Sequence, residues 1–417
     1  MSEQRPRVFV GIDWAQEGHQ VCAVDAQGEV IEQRAVEHTA SGLAAMCDWL
    51  LQLAEGEPGA IAVAIETPHG IVVETLLDHG LAVHAINPKQ LDRFRDRFSM
   101  SGAKDDRRDA HVLADSLRTD RHAFRKIAPE SPTIVEIREW SRMDTELKQE
   151  YVQLSNRCRD QLLRYFPQFL GVSKDMGTPW VMALWKLVPD PGAAQVVEPK
   201  TVRRLLAKHR IRKIDAEAAV AQLRQTPMKV AAGTPEAAKA HIELLCQRLA
   251  VINDQLKLCR QRLKELIDQL PAQESSEGKT GEQHIVTIVQ SLPGVGPIVL
   301  AALLAEAAKP LREGDYRALR TLTGVAPVTK RTGKSKKAIR VMRRLACNKR
   351  LANAVYHWAR VASQRDETSK ARYQALRKRG CSHGRALRSV ADALLRILAA
   401  MVRQGSVYDP QRRRVAA

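Results

Sequence analysis

The apolar positions of the chain keep one rhythm for about 130 residues and then change it. Val8-Phe9-Val10-Gly11-Ile12-Asp13 is a continuous apolar run of strand length. Gln20-Val21-Cys22-Ala23-Val24, a turn at Gln27-Gly28, and Val30 to Arg34 read as a hairpin following it, before a helix from about Ser41 to Leu53. Ile61-Ala62-Val63-Ala64-Ile65-Glu66 reads as a buried strand, Val72 to His79 as a helix, and Ala82-Val83-His84-Ala85-Ile86 as a further strand. This alternation predicts an α/β domain with a mixed sheet over residues 1–128.

From about Ser131 the strand signals stop and long helical patterns take over. Ile242, Leu245, Leu249, Ile252, Leu256, Cys259, Leu263, Leu266 and Leu270 step by three and four, the spacing of a coiled-coil seam. A less regular pattern at Leu147, Tyr151, Leu154 and Cys158 predicts an earlier long helix, which either returns alongside the seam or pairs with a second subunit. Residues 271–283 lack apolar periodicity and read as a linker. The expected organisation is therefore an α/β domain over 1–128, a helical and coiled-coil dimerisation region with linker over 129–283, and a basic helical domain over 284–417. A homodimer or tetramer is expected through the seam.

Charge narrows the partners. Lys and Arg total 66 against 47 Asp and Glu, a formal net charge of +19, which favours a polyanion, nucleic acid first. No run of eighteen apolar residues occurs and the first thirty residues carry no signal-peptide pattern, so no membrane is expected. The expected location is cytoplasmic and nucleoid-associated. Seven cysteines, scattered and without a CxxC pair, suggest neither a disulfide framework nor a zinc site, and read as small buried apolar residues.

Candidate chemistry begins with carboxylates. Asp13 and Glu66 end two predicted strands, and Asp106 and Asp109 stand three apart at the start of a helix through Val112, Leu113 and Leu117, on one face of it. A single acid after a strand is usually a turn or cap residue, and acids in a first helical turn commonly complement the dipole. The combination shifts that balance. Four gathered carboxylates would repel unless a divalent cation neutralised them, and hard oxygen donors suit magnesium or manganese. Such a site suits phosphodiester chemistry. Asp105 and Asp115 fit the shared face less well and read as solvated or cap residues. His19, His84 and His111 read as structural or surface residues, with His69 a candidate neighbour of Glu66.

Between Asp315 and Asp366 no acidic residue occurs, while Lys330, Arg331, Lys334, Lys336, Lys337, Arg340, Arg343 and Arg344 crowd together. A solvated helix face normally mixes both signs, so a one-sign stretch points to phosphates that offset the repulsion. Gly294-Val295-Gly296-Pro297 reads either as a phosphate-binding glycine turn or as a tight helix connection. Tyr356 and Trp358 suit base stacking, yet their spacing with Val355 and Ala359 favours core packing.

Together Gly11-Ile12-Asp13-Trp14, Ile65-Glu66-Thr67-Pro68 and Lys104-x-Asp106-x-x-Asp109-Ala110 resemble the signatures of the DEDD transposases of the insertion-sequence one-ten family. Leu292-Pro293-Gly294-Val295-Gly296-Pro297 and Leu322-Thr323-Gly324-Val325-Ala326-Pro327, with the basic loop after them, resemble that family's second domain. The resemblance implies a ribonuclease-H or resolvase-like first domain, a coiled-coil dimerisation region and a C-terminal transposase domain. It further implies a magnesium-binding tetrad of Asp13, Glu66, Asp106 and Asp109, donor and target DNA as substrates, and a structured guide RNA. The family's nucleophilic serine precedes a glycine in the basic loop. Here Thr332-Gly333 takes that register, with Ser335 nearby, and threonine's extra methyl crowds the approach to phosphorus. The readings that follow are a transposase forming a covalent hydroxyl-phosphate intermediate, a resolvase-like nuclease cutting branched DNA, or a nucleic-acid-binding scaffold with impaired catalysis.

Overall fold

The computed structural model describes residues 5–86, 88–98, 106–127, 131–270, 282–331 and 339–411. The chain divides into two compact units, Met1–Glu130 and Ser131–Ala417.

The first unit holds strands β1 (Val8–Asp13), β2 (Gly18–Val24) and β3 (Val30–Glu37), helix α1 (Ala40–Leu53), β4 (Ile61–Ile65), α2 (Ile71–Asp78), β5 (Ala82–Ala85), α3 (Pro88–Phe98), α4 (Asp106–Thr119) and the two-residue β6 (Arg125–Lys126). The sheet order is β3-β2-β1-β4-β5-β6. β1, β4 and β5 run parallel, while β2, β3 and β6 are antiparallel to their neighbours. The mixed sheet follows from local chemistry. The Asp25 carboxylate accepts from the amides of Gln27, Gly28 and Glu29 at 2.8, 2.8 and 2.9 Å, and Gly28 takes a φ of +98°, closing the β2–β3 turn. Thr39 caps α1 by accepting from the Gly42 amide at 3.0 Å.

Strand alternation gives this sheet two unlike faces. Val8, Val10, Ile12, Ile61, Val63 and Ile65 share one core with Leu43 and Leu50 of α1 and Leu76 of α2. Phe9, Cys22, Ala62 and Ala64 face the other way, into a core with Val112, Leu113 and Leu117 of α4.

The second unit is mainly helical: α5 (Pro132–Tyr165), α6 (Pro179–Leu187), α7 (Pro191–Val196), α8 (Pro199–Lys208), α9 (Ala216–Leu223), α10 (Thr234–Asp268), α11 (Glu282–Ser291), α12 (Pro297–Arg312), α13 (Tyr316–Leu322), α14 (Lys349–Arg365), α15 (Glu367–Lys378) and α16 (His383–Gln404). Helices α5 to α8 each open on proline, whose fixed φ suits a first helical position and whose missing N–H costs nothing there. One core joins the second half of α5 to α6–α9 and the first half of α10, and another joins the start of α5 and the end of α10 to α11–α16. Of the two expectations for the long helices, α5 returns alongside α10 within one chain. Every residue of the periodic seam from Ile242 to Leu270 is buried in doing so. Cys158 of α5 and Cys246 of α10 are both buried in the core this pair helps to form, and the seven cysteines are all free thiols.

The C-terminal region expected as helical also carries a two-stranded ribbon, β7 (Val328–Arg331) and β8 (Ile339–Met342), antiparallel with Lys330 opposite Arg340. Each strand is only four residues long and carries one or two basic residues, so neither forms an apolar run of strand length. Among the described residues no helix is long and apolar enough to cross a membrane.

Candidate active site

Asp13 is the last residue of β1, and Glu66 directly follows β4. Ile12 pairs with Ile65 in the parallel register, so the two acids leave neighbouring strands side by side at their carboxyl ends. Both are half-buried. By strand alternation Asp13 follows Phe9 and Gly11 onto the sheet face that α4 covers, and Glu66 follows Ala62 and Ala64.

Gly11 is what lets α4 approach. A Cβ at this position would lie 2.0 Å from the Ala110 carbonyl oxygen and 2.5 Å from the Ala114 amide nitrogen, so helix backbone rests directly on strand backbone. Asp109, the residue before Ala110, is thereby brought to the same face, 5 % exposed. Asp106, one turn earlier, is exposed to solvent.

Sequence reasoning gave no role to the side chain that meets Asp109. Arg95 of α3 donates through Nε to Asp109 Oδ1 at 2.8 Å and through Nη2 to Oδ2 at 2.9 Å, a bidentate pair, while Nη1 reaches Asp92 at 2.8 Å. Burial opposes the charge on Arg95. The hydrogen bonds and charge of Asp109 outweigh it, with Asp92 and then Glu66 adding, and the guanidinium pKa is raised. Arg95 therefore feels both Asp109 and Glu66 and serves as the local counter-charge. Among the described residues no group of three or more His, Cys, Asp or Glu is arranged to hold a metal ion. The donor set fits a hard divalent cation in kind, since Asp13, Glu66 and Asp109 share one face and carry only carboxylate oxygen, but in this conformation Asp109 is engaged by the guanidinium.

Nearby, His19 is 1 % exposed and its Nε2 lies 2.9 Å from Nδ1 of His38, with Trp14 stacked on its ring. Burial, then the neighbouring His38, lowers its pKa.

In the second unit Gly294 lies in the connection between α11 and α12. It adopts φ +83°, and a Cβ there would come within 2.8 Å of the Ala362 amide nitrogen, so the turn is packed tightly against α14. Trp358 is fully buried and donates from Nε1 to the Pro293 carbonyl at 3.0 Å, which makes it a core residue. Tyr356 is 36 % exposed. Of the basic candidates, Arg343 is exposed and Arg344 half-buried. Lys330, Arg331 and Arg340 stand in the ribbon strands. Thr332, Lys334, Ser335, Lys336 and Lys337 lie outside the described residues, as does Asp105.

Comparison with known proteins bears on both units. Residues 10–167 match a sequence model described as a transposase of the DEDD, IS110 type, and residues 286–374 match one described as transposase, IS116/IS110/IS902 family. The chain is 31% identical to the mini-circle putative transposase for IS117 of Streptomyces coelicolor, covering 99% of this chain and 98% of that relative. The chain belongs to the IS116/IS110/IS902 transposase family. A putative transposase of Sinorhizobium fredii is 49% identical over 217 residues, a match that spans 52% of this chain and 60% of that relative. An uncharacterized protein of insertion element IS116 from Streptomyces clavuligerus is 25% identical over 98% of both chains. For an IS116/IS110/IS902-family chain, the two matched segments contain the strand-end acids with α4 and the glycine turns with the basic ribbon.

Proposed function

We propose that this chain is the DNA recombinase of a mobile element, cleaving and rejoining strands at a metal-dependent site in a ribonuclease-H or resolvase-like first unit. The observation that carries the reading is the β1–β4 register, which sets Asp13 beside Glu66 on the face that brings Asp109. The sheet order, with the antiparallel pairings of β2 and β3 on one side of β1 and the parallel β4 and β5 on the other, supports the fold assignment. Asp13, Glu66, Asp106 and Asp109 are the residues that would hold Mg2+, or Mn2+ in its place. When bound, such an ion supplies Lewis-acid activation and charge stabilisation at phosphorus.

The Thr332 hydroxyl is the proposed nucleophile, in preference to Ser335. Its oxygen forms a bond to phosphorus as one sugar oxygen leaves, and its proton passes to solvent. One phosphoester replaces another, so rejoining by the reverse attack needs no external energy source. The one-sign stretch from 316 to 365 supports phosphate binding by donor and target DNA and by a structured guide RNA. The working location is the cytoplasm, on the nucleoid.

The test is incubation of the chain with DNA carrying the element's ends, its flanking RNA and MgCl2, followed by denaturing gels that retain protein–DNA adducts. The parent forms an adduct; Thr332→Ala forms none; Asp13→Asn binds DNA but loses cleavage by at least about a thousand-fold, the scale of losing an essential catalytic group. Cut ends without protein attached would instead identify a hydrolytic nuclease, and binding without cleavage by the parent a scaffold.

Assembly through a second copy is part of the proposal, but the buried seam is not the surface for it. Leu244, Val251 and Leu258 of α10 recur every seven residues and are 61, 57 and 56 % exposed, a line of apolar side chains along the outer face. Val251→Lys is expected to convert the dimer to a monomer in sedimentation equilibrium without lowering the melting temperature. A parent that sediments as a monomer at micromolar concentration would overturn this.

A further inference from the structure

A cavity of about 530 Å³ opens in the second unit where the segment after α13, the connection from β8 to α14, the start of α14 and the start of α16 meet. Its size is that of a small-molecule site. Its lining is divided by chemistry. Arg343, Arg344, Lys349 and Arg388 stand around it, and no carboxylate lines it among the described residues. Val325, Val355, Leu387 and Ala391, 8, 1, 1 and 2 % exposed, supply an apolar floor, with the Tyr356 ring at its edge.

Among the described residues no acid stands in the lining to balance these cations. Arg344 and Arg388 are half-buried, and the Arg344 Nε is buried with no hydrogen-bond partner among the described residues. Burial, and then the like charges of Arg343 and Arg385, lower the Arg388 guanidinium pKa, yet a guanidinium stays protonated at any physiological pH. Placing like charges beside a partly desolvated apolar floor is unfavourable unless an anion offsets them. The seventeen-residue α14 adds the positive end of its dipole from the same side.

The wall is also built to stay in place. Asn348, the cap of α14, donates its amide N–H to the Leu322 carbonyl at 2.9 Å and its Nδ2 to Glu306 Oε2 at 2.7 Å. Gly324 turns at φ +68° where a Cβ would lie 2.7 Å from the Cys347 sulfur.

We propose that this cavity takes one unpaired nucleotide of a nucleic-acid strand, its phosphate among Arg343, Arg344 and Arg388 and its base over the apolar floor beside Tyr356. A free phosphate has no use for that floor. A paired base inside a duplex has no face to offer it. An unpaired nucleotide supplies both the anion and the flat apolar surface. The inference rests on the nucleic-acid reading above and goes further, by separating single-strand from duplex binding.

The experiment is fluorescence anisotropy of the full chain with a short single-stranded DNA, the same sequence as single-stranded RNA, and the DNA duplex. Four chains are compared: the parent, Arg388→Gln, Ala352→Trp, which fills the cavity without changing charge, and Arg379→Gln, which removes an exposed charge outside the lining. Arg388→Gln and Ala352→Trp are expected to weaken single-strand binding about ten-fold, the scale of one lost base contact. Duplex binding by Arg388→Gln should fall no further than for Arg379→Gln. Whichever single strand loses more identifies the source of the nucleotide. Equal losses for the two arginine variants on every probe, with Ala352→Trp like the parent, would overturn the cavity assignment while leaving nucleic-acid binding intact. Failure of the parent to bind any of the three probes would overturn the functional reading itself. Asn353→Trp, at the exposed rim, repeats the filling test if Ala352→Trp melts early.

Discussion

Gly11→Ala is expected to destabilise the first unit by about 3 kcal/mol or more, the upper end of what overpacking a core costs. The added methyl would fall 2.0 Å from the Ala110 carbonyl oxygen and 2.5 Å from the Ala114 amide, and both are backbone, so no rotamer change relieves the contact. Helix α4 must leave the sheet. Gly56→Ala is the control, because Gly56 sits at φ +80° with nothing within 4 Å of the new Cβ, and the backbone strain there costs about 1 kcal/mol. Denaturant melts with hydrogen exchange of the first-unit amides compare the two. Equal losses would mean that α4 is not held at backbone distance, and the placement of Asp109 would lose its cause.

Arg95→Gln carries the second large effect. The substitution leaves the Asp109 side chain, 7 % exposed, without its bidentate partner. Breaking a buried ion pair costs roughly 3–5 kcal/mol, and the lower end applies because the Arg95 side chain keeps 33 % of its exposure. The lost charge is one that a divalent cation can replace. Thermal melts against MnCl2 should therefore show Arg95→Gln melting well below the parent without the ion and recovering as it is added, with the parent rising less. A variant that stays low at every MnCl2 concentration, with Asp109→Asn in the same background melting no differently, would remove the case for Asp109 as a metal ligand.

Much of the first unit was legible because its signals are local. An apolar run ending in an acid reads as a strand whoever its neighbours are, and Asp13 and Glu66 were placed at strand ends on that ground alone. Their adjacency depended on register, which Ile12 and Ile65 settle only in three dimensions. Arg95 was invisible for the opposite reason. Asp92-Arg93-Phe94-Arg95 mixes both signs as a solvated helix face does, and nothing local marks one guanidinium as reaching fourteen residues ahead. The seam of α10 was legible as a stripe but not as to its partner, since periodicity states that a face is covered and not by what. The ribbon was missed because its strands are four residues long and interrupted by basic residues. The cavity beside α14 was legible only in parts: Arg343, Arg344 and Tyr356 stand out singly in the sequence, but Lys349, Leu387 and Arg388 join them only through the packing of separate segments.

The two sides of the first unit's sheet tolerate change differently. On one, branched side chains keep α1 and α2 at ordinary packing distance, and a methyl more or less is absorbed by neighbours that can repack. On the other, glycine and alanine set the thickness of the layer beneath α4. That thickness is the ruler by which an acid on a helix is aligned with acids on two strands, so drift in the first surface spends stability alone, whereas a single carbon gained at Ala62 or Ala64 shifts the alignment as well.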